Sequence, residues 1–227
     1  MRYILVGEMH GTTECPKAFL EILRKHKINQ VALEFPKKNQ KEINQFLSGS
    51  RDISNLSIFK DKGKIHDGRA SESVKNLILK LKKDKTKIYF VDSEPSNPLK
   101  RDYLMAKNLM EIKGKTMFLC GNVHASKTAI KFPLIFVLLN KIMNFFSKGV
   151  KISKNGIIES CGSFLPKTET ISYKVIAVNG GKFYNFGVKK IKPDEKFQNS
   201  QSLPKIVQSY EDGFDYFYLA DTFTASK

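Results

Sequence analysis

Two apolar, β-prone runs in this chain end in the same way. Tyr3-Ile4-Leu5-Val6 runs into Gly7-Glu8-Met9-His10-Gly11, and Thr116-Met117-Phe118-Leu119-Cys120 runs into Gly121-Asn122-Val123-His124-Ala125. A run with little polar alternation reads as a strand covered on both faces, as in a parallel sheet sandwiched by helices. The chain has four histidines, and two of them take the same place in these turns. Sites in open α/β sheets form beyond the carboxyl ends of the strands. The paired Gly-x-x-His turns therefore constrain fold and site together. They predict an α/β fold with a central, mostly parallel sheet flanked by helices, and a site between the two turns.

The intervening sequence supplies the other elements. Thr13 and Pro16 open a helix whose apolar face is Phe19, Leu20, Ile22 and Leu23. Residues 29–35 form a second strand, stopped by Pro36, and the resulting βαβ unit predicts that strands one and two pair in parallel. A short helix spans 38–47. The polar stretch 48–69 reads as a long loop with a helical turn near 54–59, ending in His66-Asp67-Gly68-Arg69. Ser71 caps a helix striped with Val74, Leu77, Ile78 and Leu81. Residues 87–92 form strand three, 99–113 a helix and 116–120 strand four. Further on, a strand at 170–178 turns at Gly180-Gly181 into a hairpin partner at 182–187. Residues 190–206 read as loop, and Phe214–Leu219 as a last strand.

At 227 residues, with 41% hydrophobic and 27% charged residues, the chain reads as a single domain over 1–227 with an apolar helical insert at about 132–148. No uncharged apolar window reaches the roughly 18 residues of a membrane span. The first strand begins at residue 2 with no leader pattern before it, so a cytoplasmic location is expected. Three scattered cysteines form no CxxC pair, which argues against a disulfide framework or a zinc ribbon. The net charge of +17 invites a nucleic-acid reading, but only five of the basic residues are arginine and the lysines are dispersed. A lysine-rich solvated surface is the expected explanation of the charge, with an anionic partner or a membrane surface as the alternative. The segment 133–146 (Pro133 to Phe146) has three readings. It is a core helix or one that joins a homodimer, an apolar lid over the site, or an in-plane contact to a membrane surface.

Polar residues gather at the predicted strand ends. Glu8 and His10 follow strand one, Glu34 ends strand two, and Asp92 and Glu94 follow strand three. Asn122 and His124 follow strand four, with Arg69 and Arg101 near the same edge. Glu34 lies in an apolar run, and a buried carboxylate needs a partner. Arg101 opens a helix, against the helix dipole, and such a placement points to a task elsewhere. His26 suits the end of its helix, and His66 sits in a loop. No serine lies in a Gly-x-Ser-x-Gly turn and no cysteine is placed as a nucleophile, so activated water is the expected attacking group. Histidine and glutamate can take a proton from water, while arginine or a second histidine stabilises an oxyanion. His10, His124 and Glu34 could instead hold a divalent metal. Arg69, Asn122 and Asp92 are expected to contact a small-molecule substrate.

The motifs Gly7-Glu8-Met9-His10-Gly11, Leu33-Glu34-Phe35-Pro36, Arg101-Asp102 with Met105-Ala106-x-Asn108-Leu109, and Gly121-Asn122-Val123-His124-Ala125 resemble the erythromycin esterase/ChaN-like superfamily, which is related to the TraB/Tiki proteins. Gly162-Ser163-Phe164-Leu165 and Phe214-Asp215-Tyr216 resemble that family's tail. The resemblance implies an α/β fold in two related halves, with a cleft lined by both Gly-x-x-His turns, and a hydrolase acting on an ester, lactone or amide. His10 would be the base, Glu8 and Glu34 its supports, and His124 and Arg101 further catalytic residues. Its other branches imply a haem-binding protein without turnover, or a metal-dependent peptidase. The cofactor expected is accordingly none, a divalent metal or haem.

Overall fold

The structure, a computed structural model, describes residues 1–60, 67–93, 98–131, 157–198 and 200–227. The segment 132–148, His66 and Glu94 lie outside the described residues.

In chain order the first half consists of β1 (Tyr3–Glu8), α1 (Glu14–His26), β2 (Gln30–Pro36), α2 (Gln40–Leu47) and α3 (Ser57–Lys60). It continues with α4 (Glu72–Lys83), β3 (Lys87–Asp92), α5 (Arg101–Glu111), β4 (Thr116–Gly121) and the single turn α6 (Asn122–Ala125). The short strands β5 (Ile130–Lys131) and β6 (Ile157–Ile158) follow, then β7 (Thr170–Ala177), β8 (Gly181–Tyr184), β9 (Val188–Ile191), β10 (Lys205–Gln208) and β11 (Tyr216–Ala220).

The central sheet has seven strands in the order β10-β11-β7-β1-β4-β2-β3, parallel throughout except at β10–β11. All of β1 and all of β4 are buried, as the apolar runs require. Side chains alternate along β1. Ile4 and Val6 join Phe19, Ile22, Val74, Leu77, Ile78 and Leu81 of α1 and α4 on one face. Tyr3 and Leu5 join Met105, Ala106 and Leu109 of α5 on the other. Each fully buried Leu, Ile or Phe contributes about 1.5–3 kcal/mol, so both helical layers are held chiefly by these faces.

The expected pairing of strands one and two is corrected: β4 lies between β1 and β2. The chain moves outward from β1 to β2 to β3 with α1 and α4 on one face. It then returns to β4 with α5 on the opposite face. Reversing direction while keeping right-handed crossovers demands this change of face. The hairpin is corrected too. Strand β7 pairs in parallel with β1 and β11, and the antiparallel hairpin forms one strand later, between β8 and β9. Two strands, β9 and β10, fall at the ends of the stretch expected to be loop. Among the described residues no helix is long and apolar enough to cross a membrane.

Candidate active site

The insertion of β4 beside β1 sets the site. In the β1–β4 register Gly7 faces Cys120 and Glu8 faces Gly121, so both Gly-x-x-His turns leave the sheet at one level. Gly121 lies beneath both imidazoles. A Cβ there would stand 3.1 Å from His10 Nε2 and 3.5 Å from His124 Cδ2. Any side chain at this position would push against the two rings, and glycine lets them approach over one backbone atom.

Glu34 occupies the centre. Strand β2 pairs with β4 as far as Leu33–Leu119. Beyond that point the Glu34 carboxylate continues the ladder, with Oε2 accepting the Gly121 N–H at 2.8 Å. Oε1 accepts from Arg101 Nη2 at 2.6 Å and from Arg69 Nη1 at 3.3 Å. His10 Nε2 lies 3.6 Å from Oε2, and His124 Nε2 lies 3.6 Å from Oε1. One carboxylate thus faces two imidazoles and two guanidiniums. Burial opposes its charge, but His124, His10, Arg69 and Arg101 together outweigh that and hold its pKa well below the usual carboxylate range.

Each imidazole is oriented by a carboxylate of its own. His10 Nδ1 lies 2.8 Å from Glu8 Oε1, and His124 Nδ1 lies 2.6 Å from Asp102 Oδ1. A carboxylate only accepts, so in both rings Nδ1 carries the proton and Nε2 is left as the free base of the neutral form. Asp102 is fixed in turn by the Cys161 N–H at 2.7 Å. Burial would lower the pKa of His10, but the hydrogen bond and charge of Glu8, with the charge of Glu34, raise it above the ordinary value. For His124 burial is likewise outweighed, by Glu34 and Asp102, and its pKa is also raised. The histidines still differ. Arg101 Nη1 lies 3.2 Å from His124 Nε2, and a guanidinium only donates, so that contact is a hydrogen bond only while Nε2 is unprotonated.

The arginines are positioned by Asp92 and Asp67. Arg101 holds Asp92 through Nε at 2.8 Å and Nη2 at 2.7 Å, a two-pronged pair. Arg69 reaches Asp92 at 3.1 Å and Asp67 at 2.7 Å. This answers the odd position of Arg101 at the head of α5: its partners lie across the ends of β2 and β3. The pKa values of both arginines are raised, burial being outweighed at Arg69 by Glu34 and Asp67 and at Arg101 by Asp92 and Glu34.

Of the residues expected from sequence, Glu8, His10, Glu34, Arg69, Asp92, Arg101 and His124 come together in one network. Asp92, expected to touch substrate, is buried and engaged by both arginines. Asn122 stands apart from the network. Its Oδ1 is buried without a hydrogen-bond partner among the described residues, and it leans over Gly7 so closely that a Cβ there would stand 2.7 Å away. Two further members, Asp102 and Asp67, were not singled out from sequence. Each sits beside a site arginine, in Arg101-Asp102 and Asp67-Gly68-Arg69, and that adjacency was the available signal.

The donor set does not suit a divalent metal. Two guanidiniums already sit on Glu34 Oε1, and Oε2 accepts the Gly121 N–H. Among the described residues no group of three or more His, Cys, Asp or Glu is arranged to hold one.

Comparison with solved structures bears on the fold. An erythromycin esterase, EreC, in its open conformation superposes with a TM-score of 0.65, covering 100% of this chain and 92% of its own, at 9% identity. The fold is shared with that esterase. A Bacillus cereus protein superposes at a TM-score of 0.62, covering 99% of this chain and 89% of its own, at 11% identity. ChaN of Campylobacter jejuni, solved with cofacial haem, reaches a TM-score of 0.44 at 16% identity, covering 77% of this chain and 81% of its own. No family model matches the chain, and neither does any curated protein.

Proposed function

We propose that the protein is a hydrolase that uses histidine-activated water on an ester, lactone or amide of a small-molecule substrate. The observation that carries this reading is the arrangement of two carboxylate–imidazole pairs, Glu8–His10 and Asp102–His124. Both aim their Nε2 atoms at the two oxygens of the same carboxylate, at 3.6 Å each. Chemistry that deprotonates water needs a base with a free lone pair, an orienting group behind it and positive charge where the oxyanion forms.

His10 is the base in this reading. Among the described residues no guanidinium donates to its Nε2, whereas that of His124 meets Arg101. The water oxygen bonds to the acyl carbon as its proton passes to His10 Nε2. Glu8 stabilises the imidazolium that results, in the way a triad carboxylate does. Arg101 and Arg69 offset the negative charge that develops on the carbonyl oxygen. The proton on His10 then passes to the departing alcohol or amine. Glu34 fixes the distance between the two turns and the two arginines. The thiols give no competing nucleophile: Cys15, Cys120 and Cys161 are buried, and burial pushes their pKa values up. The full-length likeness to an erythromycin esterase supports the choice of ester or lactone chemistry.

The test is hydrolysis of a panel of model esters, lactones and amides by the wild-type chain and His10→Ala. Turnover by the wild type and at least a hundredfold loss in the variant, with unchanged circular dichroism, is expected. Equal rates in the two proteins would refute the assignment.

A further inference from the structure

The ribbon β8–β9 has a composition that the hydrolytic site does not use. Its sequence Gly181-Lys182-Phe183-Tyr184-Asn185-Phe186-Gly187-Val188-Lys189-Lys190-Ile191-Lys192 carries four lysines and no acidic residue. All four lysines are exposed. At the tip, Phe186 is 72% and Val188 54% exposed, the two highest values among the large hydrophobic residues of the described chain. Phe186 has positive φ at 50°, and Gly187 follows it at 135°, so the tight turn itself carries the phenyl ring outward. The ribbon is a separate two-stranded sheet rather than part of the seven-stranded one.

The ribbon is tied to the site loops beside its turn, where Tyr184 pairs with Val188. Tyr184 N donates to Gly11 O at 3.0 Å, one residue past His10. Gly11 and Gly68 both have positive φ, and a Cβ on either would lie within 2.3 Å of Tyr184 O. Gly68 immediately precedes Arg69. The backbones of the His10 loop, the Arg69 loop and the ribbon therefore cross with no room for a side chain. Beside the ribbon, Ile191, Lys192 and Pro193 help to line a cleft of about 490 Å³, whose walls also include Met9 and Asn122.

We propose that the β8–β9 ribbon docks the protein on an anionic lipid surface, with Phe186 and Val188 entering the headgroup region and Lys182, Lys189, Lys190 and Lys192 facing the lipid phosphates. An apolar tip ringed by lysines on a protein of net charge +17 complements such a surface in both respects. Each lysine near an anionic leaflet contributes about fivefold in partitioning at moderate salt, an effect that falls off within a Debye length. Lysine with an aliphatic Val188 at the tip, and no arginine in the ribbon, fits lipid better than base readout. Docking there would bring the surface beside the His10 and Arg69 loops and would act whether or not the site hydrolyses esters.

The experiment is flotation of the full chain with vesicles of phosphatidylcholine mixed with phosphatidylglycerol, and with vesicles of phosphatidylcholine alone. Binding to the mixed vesicles that weakens as salt is raised, and none to neutral ones, is expected. Lys189→Ala with Lys190→Ala should cut binding more than tenfold, and Phe186→Ser several-fold. A control pair at the opposite sheet edge, Lys83→Ala with Lys87→Ala, should leave it within about twofold. Unchanged ribbon variants, equal loss in the control pair, or capture of a single-stranded oligonucleotide in place of vesicles would overturn the proposal. Ribbon variants that keep their melting temperature and ester turnover yet lose vesicle binding separate this proposal from the hydrolase reading.

Discussion

Replacing Glu34 by glutamine removes one negative charge from the middle of the site while keeping its shape. Both arginines and both imidazoles then face an amide. Breaking a buried ion pair by removing one partner costs about 3–5 kcal/mol. Asp92 stays within 3.1 Å of Arg69 and 2.8 Å of Arg101 and offsets part of this. The amide oxygen of the new side chain can also still accept the Gly121 N–H. The net loss expected at neutral pH is therefore about 2–3 kcal/mol. For a chain of this length it corresponds to a fall in Tm of about 4–12 °C. The pH dependence has a definite sign. Glu34 has a folded pKa depressed from an ordinary 4.5, so its contribution is fully present above that value and fades as pH falls through and below it. Chemical denaturation of wild type and variant from neutral to acid pH measures this directly. A gap of under about 0.5 kcal/mol at neutral pH, where a surface substitution falls, or a gap that widens on acidification below 4.5, would refute the reasoning.

Asp102→Asn should lower ester turnover by about ten- to a hundredfold with little change in fold. The asparagine can present its NH2 to His124 Nδ1 and favour the other tautomer, which the ring-nitrogen shifts of His124 in NMR would reveal. Gly68→Ala should cost more than about 2 kcal/mol, because its φ of +89° and its contact with Tyr184 O both exclude a Cβ. Urea denaturation checks that value, and a loss near zero would mean the three backbones do not cross as described. Glu8→Gln should lower the pKa of His10, since Glu8 supplies the hydrogen bond and charge that outweigh burial. Proton NMR titration reads the shift, and a rise would contradict it.

Much of this arrangement was legible in local sequence because it depends on strands buried on both faces. The runs before Gly7 and Gly121 marked two central strands, and Glu34 inside a third apolar run marked a carboxylate that needed partners. Arg101 at a helix start was legible as a misfit for the same reason. Strand order was not, because local pattern says where a strand lies but not which strand it neighbours. Only the long-range register of β4 against both β1 and β2 placed Gly121 beneath the two imidazoles. Asp102 escaped because an acidic residue in the first turn of a helix is already accounted for by the dipole. Its bond to His124, from a residue 22 positions away in sequence, has no local trace. The strands β9 and β10 were missed because their polar, lysine-rich sequences belong to a separate two-stranded ribbon and a sheet edge, which bury little.

The pH dependence of kcat/KM on a model ester tests the central claim most directly. If neutral His10 is the base, the rate rises through a single ionisation above 6.5, the ordinary imidazole value, because Glu8 and Glu34 raise its pKa. In Glu8→Gln that limb moves to lower pH while the plateau falls. A profile that is flat between mildly acid and mildly basic pH, or a limb that stays in place in Glu8→Gln, would contradict the account.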